Sequence, residues 1–370
     1  MRRSVLKHQN EYRNPELAVA LVGRIREISS KPCSFMEFCG GHTLTIARHG
    51  IGSMLPEQIN LISGPGCPVC VTPMAEVDLM SALAGLPGVI VTTYGDMLRV
   101  PGSRASLLER RAEGADVRVV YSSYDAVEMA RSNPESQVVF FGIGFETTAP
   151  ATAAAVLKAA EMDLGNFSVI SAHKTTSPII AALLDSGEMC LDGLVCPGHV
   201  SVVTGTAPYV QAAARGVPCV VTGFEPVDIL QAVLMLVEQV EQGRSDVEIQ
   251  YSRTVKDEGN PKALRMMEQV FTPVPSNWRG IGVVPASGLE VRDEFASFNA
   301  RNRFEIELPE TREPAGCICG RILRGVASPV DCALFAKRCT PTSPVGACMV
   351  SSEGACHAHF RFQSHKRTSE

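Results

Sequence analysis

Residues 137–171 read QVVFFGIGFETTAPATAAAVLKAAEMDLGNFSVIS. Gln137–Phe141 and Phe167–Ser171 are short runs rich in β-branched and aromatic residues, the composition of buried strands. Between them Ala149–Met162 is a helix candidate. Strand, helix, strand in this order is a βαβ unit, which requires parallel strands.

The alternation extends to both sides. Further strand candidates are Gly88–Thr93, Val117–Tyr121, Leu194–Cys196 and Pro218–Thr222, and further helix candidates are Met74–Leu83 and Ser103–Glu113. The clearest helix is Pro226–Gln242, with Ile229, Val233, Leu236, Val237 and Val240 on one face and Gly243 closing it. Near the start, Asn14 and Pro15 read as cap and first helical residue before Leu17, Leu21, Ile25 and Ile28. The pattern predicts α/β units with parallel sheets. It restarts around Asn166, so a boundary between two α/β domains is expected within Pro150–Asn166. From Val255 onward Pro261, Pro273, Pro275, Pro285, Pro309 and Pro314 punctuate a tail that reads as loop-rich.

The chain has 370 residues, 45% hydrophobic, 20% charged and 6% aromatic, with a net charge of −5. That profile excludes a disordered or fibrous chain and offers no overall basic footprint for nucleic acid. The longest charge-free stretch, Gly193–Ala214, contains Pro197, Gly198, Gly205 and Pro208 and reads as strand, loop and helix start, not as a membrane span. The opening Met1-Arg2-Arg3, followed by Lys7, His8 and Glu11, lacks the apolar core of a secretory signal. A cytoplasmic protein without membrane contact is expected.

Thirteen cysteines, an odd number, point in a reducing compartment to metal binding or thiol chemistry. Cys39 lies in Phe38-Cys39-Gly40-Gly41-His42-Thr43. A thiol near an imidazole suits a soft metal or an activated nucleophile, and the glycines admit close approach of a ligand. A buried cysteine in a strand-to-helix turn, with His42 as cap, accounts for the same spacing. Cys67 and Cys70 form a C-x-x-C pair in Gly64-Pro65-Gly66-Cys67-Pro68-Val69-Cys70. Such a pair is redox-active at a helix start, or half of a zinc site that Cys39 and His42 would complete. Cys317, Cys319, Cys332, Cys339, Cys348 and Cys356 crowd into forty residues. Their spacing matches neither a ferredoxin run nor paired C-x-x-C motifs, and favours a 4Fe-4S centre over a zinc ribbon. Four of Cys319, Cys332, Cys339, Cys348 and Cys356 are the expected ligands. Cys317 is set aside, because its neighbour Cys319 carries the following glycine.

Gly142-Ile143-Gly144-Phe145-Glu146-Thr147-Thr148 has two glycines of a dinucleotide fingerprint but threonine in the third place, so no nucleotide site is expected. Glu146, at a strand's C-terminal end, is a candidate functional carboxylate. His173-Lys174 and Cys196-Pro197-Gly198-His199 also follow strands and are expected to line the same cleft. Tyr94–Gly102 is a polar loop suited to a cleft or a partner surface.

Together these segments resemble the HypD family of hydrogenase maturation proteins. The stretches that carry the resemblance are Phe38–Thr43, Gly64–Cys70, Tyr94–Gly102, Gly144–Pro150, Pro197–Val200, Gly223–Pro226 and Cys339–Pro341 through Cys348–Cys356. They stand in the family's order over nearly the whole chain. One departure is Leu44-Thr45, where many relatives carry a second histidine after His42-Thr43.

The resemblance implies two Rossmann-like α/β domains with parallel sheets around a cleft, plus a loop-rich iron–sulfur domain. The expected division is 1–32, a helix packing on the C-terminal domain; 33–155, with Cys39 and Cys67/Cys70; 156–250; and 251–370. It implies a scaffold with redox chemistry rather than a turnover enzyme. On it the Fe(CN)2CO group of NiFe hydrogenase would be assembled with the small partner HypC, cyanide arriving from HypE with HypF. Cys39 would ligate iron, Cys67 and Cys70 would be a dithiol/disulfide pair beside it, and the tail would hold a 4Fe-4S cluster. The candidate reactive residues are Cys39, His42, Cys67, Cys70 and Glu146, with Cys39, Cys67 and Cys70 as candidate metal ligands. A stand-alone iron–sulfur thiol-disulfide reductase is the alternative. A zinc-stapled interaction protein is a third reading.

Overall fold

Strands form where β-branched and aromatic residues cluster. The computed structural model of the chain describes residues 11–308, 311 and 313–362. The Met1-Arg2-Arg3 opening with Lys7 and His8, and Pro309, lie outside the described residues. In chain order the strands are β1 (Cys33–Glu37), β2 (Ile59–Ser63), β3 (Val89–Thr93), β4 (Val117–Val119), β5 (Gln137–Gly142), β6 (Phe167–Ser171), β7 (Gly193–Pro197), β8 (Cys219–Thr222), β9 (Val247–Ile249), β10 (Phe271–Trp278) and β11 (Gly282–Val291). The chain is an α/β protein with two parallel sheets, ordered β2-β1-β7-β8-β9 and β4-β3-β5-β6.

β3 and β6 are buried along their whole length, as expected of parallel strands covered on both faces. Each sheet starts at an inner strand, steps to one edge, then returns to the other side. The reversal leaves a switch point between β1 and β7 and another between β3 and β5, beyond whose C-terminal ends such sheets place their ligands.

The strand pairing corrects the sequential division. β6 pairs with β5, Phe141 opposite Ile170, so no new domain begins near Asn166. The first sheet is completed by β7–β9, after the second sheet has been built. The 33–155 and 156–250 division therefore gives way to a sheet from 33–63 and 193–249 that accepts the 89–171 sheet as an insertion.

Helix Pro226–Gln242 has the expected bounds, with Gly243 at φ 67° behind it. The Asn14 side chain accepts from the Glu16 and Leu17 N–H groups at 2.8 and 3.2 Å and starts helix Pro15–Ile28. This helix packs chiefly on Pro226–Gln242, burying Val22 and Ile25, rather than on the C-terminal domain. Leu17, expected on its buried face, is exposed.

The proline-punctuated region contains a feature unforeseen in the sequence, the antiparallel hairpin β10–β11. Pro273 and Pro275 sit at its exposed positions, and pairing is irregular between Val274 and Ser276. A two-stranded ribbon tolerates proline there because an outward N–H has no ladder partner to lose. Beyond Phe304 the chain runs mostly in turns and short helices. One continuous apolar core joins Met36, Cys70, Phe141, Trp278, Cys319, Cys348 and Val350, so the tail is welded to both sheets. Among the described residues no helix is long and apolar enough to cross a membrane.

Candidate metal and thiol centre

Cys39 follows β1 by two residues and caps helix Gly40–His49, at the switch point between β1 and β7. β2 lies parallel beside β1, so the loops after both strands emerge together. Gly66 closes the gap between them. A Cβ there would overlap the Cys39 nitrogen and the Phe38 carbonyl, so glycine is required for the two backbones to touch. Cys67 and Cys70 follow directly and are joined as a disulfide, Cα–Cα 5.2 Å, both buried. In this state neither is free to bind metal. The three thiol positions named from the sequence are thus neighbours.

Three other segments close around Cys39. A Cβ on Gly41 would lie 3.0 Å from the Phe224 ring and 3.7 Å from Cys39 Sγ, which places Phe224, after β8, beside the thiol. A Cβ on Gly40 would meet the Glu353 side chain and carbonyl, so the Ser351–Gly354 turn of the tail lies on the start of this helix. Arg99, in the loop after β3, donates to the Val350 carbonyl at 3.2 Å.

His42 is fully buried and stacks on Phe224, ring centroids 4.8 Å apart, while His199 stacks on Phe224 at 3.8 Å. His42 Nε2 contacts the Gly223 carbonyl at 3.0 Å and the Thr222 carbonyl at 3.3 Å, which makes Nε2 the protonated nitrogen. Nδ1 has no hydrogen-bond partner among the described residues. Burial lowers the His42 pKa to about 4, so the ring is neutral at pH 7.

Glu37, the last residue of β1, was not singled out in the sequence. Its buried carboxylate accepts from the Cys39 N–H at 2.9 Å and from the Thr43 hydroxyl, and so fixes the start of the helix. Its signal was a lone acid in the apolar run Cys33–Glu37, two residues before Cys39. Burial pushes the Cys39 thiol up to about 12, and Glu353 and Glu37 add to the rise. The Gly41 and His42 N–H groups oppose it. A desolvated thiol with a raised pKa, set among carboxylates, is a poor free nucleophile but a fitting ligand for a cation, whose charge reverses the penalty.

The tail cysteines meet elsewhere. One small cavity is walled by Cys317, Cys319, Cys332, Cys339, Cys348 and Cys356 with Leu334, Phe335 and Met349. Hydrogen bonds from Cys317 and Cys348 hold the Cys319 thiol well below its ordinary range. The same contacts raise Cys317 and Cys348. All five expected ligands therefore share one cavity, and so does Cys317, which the sequence reading set aside. Among the described residues no group of three or more His, Cys, Asp or Glu side chains stands in a ready-made metal-binding arrangement. The donor set, six thiols in an apolar pocket, nevertheless fits an iron–sulfur group. Helix Pro68–Val71, which carries the disulfide, packs on the Ala347–Met349 turn, which carries Cys348.

Glu146 is not brought into this arrangement. Its carboxylate accepts from the Thr176 N–H at 2.7 Å and the Thr176 hydroxyl at 2.8 Å, which caps helix Thr176–Ser186. His173 is buried between the Thr152 and Ser171 hydroxyls, and Lys174 donates to Asn277 of β10. These residues tie the second sheet together, whereas His199 stacks on Phe224 beside the Cys39 thiol.

These features define an α/β protein with a thiol site at a sheet switch point and a cysteine-lined pocket behind it. The HypD family model, described as hydrogenase formation hypA family, matches residues 16–363. The chain is 47% identical over 376 residues to hydrogenase maturation factor HypD2 of Bradyrhizobium diazoefficiens, covering 98% of this chain and 99% of that one. It is 46% identical to hydrogenase maturation factor HypD of Cupriavidus necator, covering 96% and 97%. The Rhodobacter capsulatus HypD is 47% identical, covering 96% and 98%. The chain belongs to the HypD family, whose members act in hydrogenase maturation.

Proposed function

We propose that this chain is the scaffold on which the Fe(CN)2CO group of NiFe hydrogenase is assembled. The observation that carries the reading is the contact of Gly66 with Phe38 and Cys39, which sets a lone thiol beside a C-x-x-C pair at a switch point. Cys39 ligates the iron being built, which is cargo rather than a resident cofactor. A HypC-type partner supplies a second ligand from its N-terminal cysteine, and HypE with HypF delivers cyanide. Neutral His42, stacked under Phe224, holds the Gly40-Gly41 turn in place and keeps water from one side. The Cys67–Cys70 disulfide becomes the dithiol by taking up two electrons and two protons, drawn from an external low-potential donor. Four of Cys319, Cys332, Cys339, Cys348 and Cys356 hold a 4Fe-4S cluster, which when bound supplies single electrons. The packing of Pro68–Val71 on the Cys348 turn supports that route.

A stand-alone thiol-disulfide reductase is favoured by the same packing, but it has no use for Cys39. An infrared spectrum of the anaerobically purified chain, co-expressed with HypC, separates the two. Metal-bound cyanide and CO bands that vanish in Cys39→Ala, with iron and sulfide retained, are the expected result. About four irons and four sulfides without such bands would instead favour the reductase.

A further inference from the structure

Arg279 stands between the two thiol centres. It follows Trp278 at the end of β10, and it is 1% exposed. Its main-chain N–H donates to the Val71 carbonyl at 2.9 Å, and its Nε donates to the Thr72 carbonyl at 2.8 Å. Both carbonyls close the short helix that Cys67 begins. The next residue, Gly280, touches the backbone of Gly320, so neither position has room for a Cβ. Gly320 directly follows Cys319. One residue therefore grips the disulfide's helix, while its neighbour presses on the cysteine pocket.

The rest of the guanidinium is unaccounted for. Nη1 and Nη2 are buried and have no hydrogen-bond partner among the described residues. Among the described residues the carboxylate paired with it is Glu313, 3.6 Å from Nη1 and itself exposed. A buried cation with idle donors is costly unless an electron-rich partner faces it. Through the Gly280–Gly320 contact, the main chain that carries this charge lies against the residue after Cys319.

We propose that Arg279 is a positioning residue that couples the disulfide to the tail cysteine centre. Its guanidinium is a fixed positive charge beside the cysteine pocket, and its Nε and main-chain N–H hold the Cys67–Cys70 helix against that pocket. This rests on the reading of the tail cysteines as a 4Fe-4S site. Such a centre gains one unit of negative charge on reduction, so a fixed cation beside it favours the reduced form and raises its potential.

The test is a redox titration of the anaerobically purified full chain, followed by electron paramagnetic resonance, with iron and sulfide analysed on each sample. Arg279→Gln should keep its iron and sulfide, and its reduction equilibrium should shift about tenfold toward the oxidised form, or 59 mV for one electron. Arg279→Lys, which keeps the charge, should recover most of the shift. An unchanged midpoint in iron-replete Arg279→Gln overturns the inference. If Arg279→Gln loses its iron, Glu313→Gln decides, because it leaves Arg279 intact and removes the compensating carboxylate. A raised midpoint then supports the inference and an unmoved one overturns it. An unreplaced chain with no iron or sulfide overturns the cluster reading itself and the inference with it, a result distinct from an unmoved midpoint.

Discussion

Cys39, Cys67 and Cys70 are fixed by the ends of two parallel strands, whereas the tail cysteines are fixed by turns and by one another. In the first region, register does the positioning: Glu37 lies opposite Ser63, and the loops beyond them meet at Gly66. In the second, short helices and bends bring six thiols to one pocket with little regular structure behind them. Backbone ladders define a position without any ligand, while a turn-built pocket depends on what fills it. The strand-end site should therefore be intolerant of backbone change, and the tail of losing its contents.

The sharpest way to break this contrast is to add one methyl group to each region. At Gly66 a Cβ would collide with backbone atoms, which cannot swing aside. Gly66→Ala should cost about 3 kcal/mol and abolish maturation. At Gly346 the nearest atom is Cys317 Sγ at 2.6 Å, the end of a side chain that can rotate. Gly346→Ala should cost about 1 kcal/mol. Chemical denaturation of both variants measures the difference, and equal losses would erase the distinction.

A second test uses acid. His173 is buried in the second sheet, and burial, aided by Lys174, lowers its pKa to about 3 from 6.5. A depressed folded pKa gives stability that is present above the unfolded value and lost as pH falls toward the folded one. Stability should thus decline between pH 6.5 and 3, with His173 contributing at most about 1.4 kcal/mol per pH unit. His173→Gln keeps a polar side chain between Thr152 and Ser171 but cannot titrate, so its profile should be flatter in that window. Denaturation midpoints across the pH range report it. An unchanged slope would mean that the acid-labile groups lie elsewhere, the tail included.

How legible each region was follows from the same contrast. Strands β3, β5 and β6 announced themselves as short runs rich in β-branched and aromatic residues, and helices Met74–Leu83 and Pro226–Gln242 by their spacing. β1 and β2, with Ser34, Glu37, Asn60 and Ser63 in five-residue runs, carried no such signal. Without them the first sheet could not be seen to close through β7, and the domains were divided in sequence order. Pairing between residues 35 and 193 is a long-range fact that no local pattern encodes. At the site, residue type and spacing exposed Cys39, Cys67 and Cys70. Glu37, Phe224 and Arg279 act through tertiary contacts and stayed hidden. Cys317 was set aside on a neighbouring glycine, a local argument that could not foresee that it lines the same pocket.

The mildest test asks which region the N-terminal helix serves. Asn14→Ala removes the cap that holds the Glu16 and Leu17 N–H groups and should cost about 1 kcal/mol. Helix Pro15–Ile28 packs on Pro226–Gln242, which itself covers β7 and β8. Amide hydrogen exchange should therefore quicken in Pro15–Ile28 and Pro226–Gln242 and stay unchanged from Cys317 to Cys356. Faster exchange in the tail instead would join the N-terminal helix to the cysteine pocket and restore the sequential division that the strand pairing replaced. Faster exchange in both would mean that the continuous core transmits even a surface cap, and the two regions would then unfold as one cooperative unit.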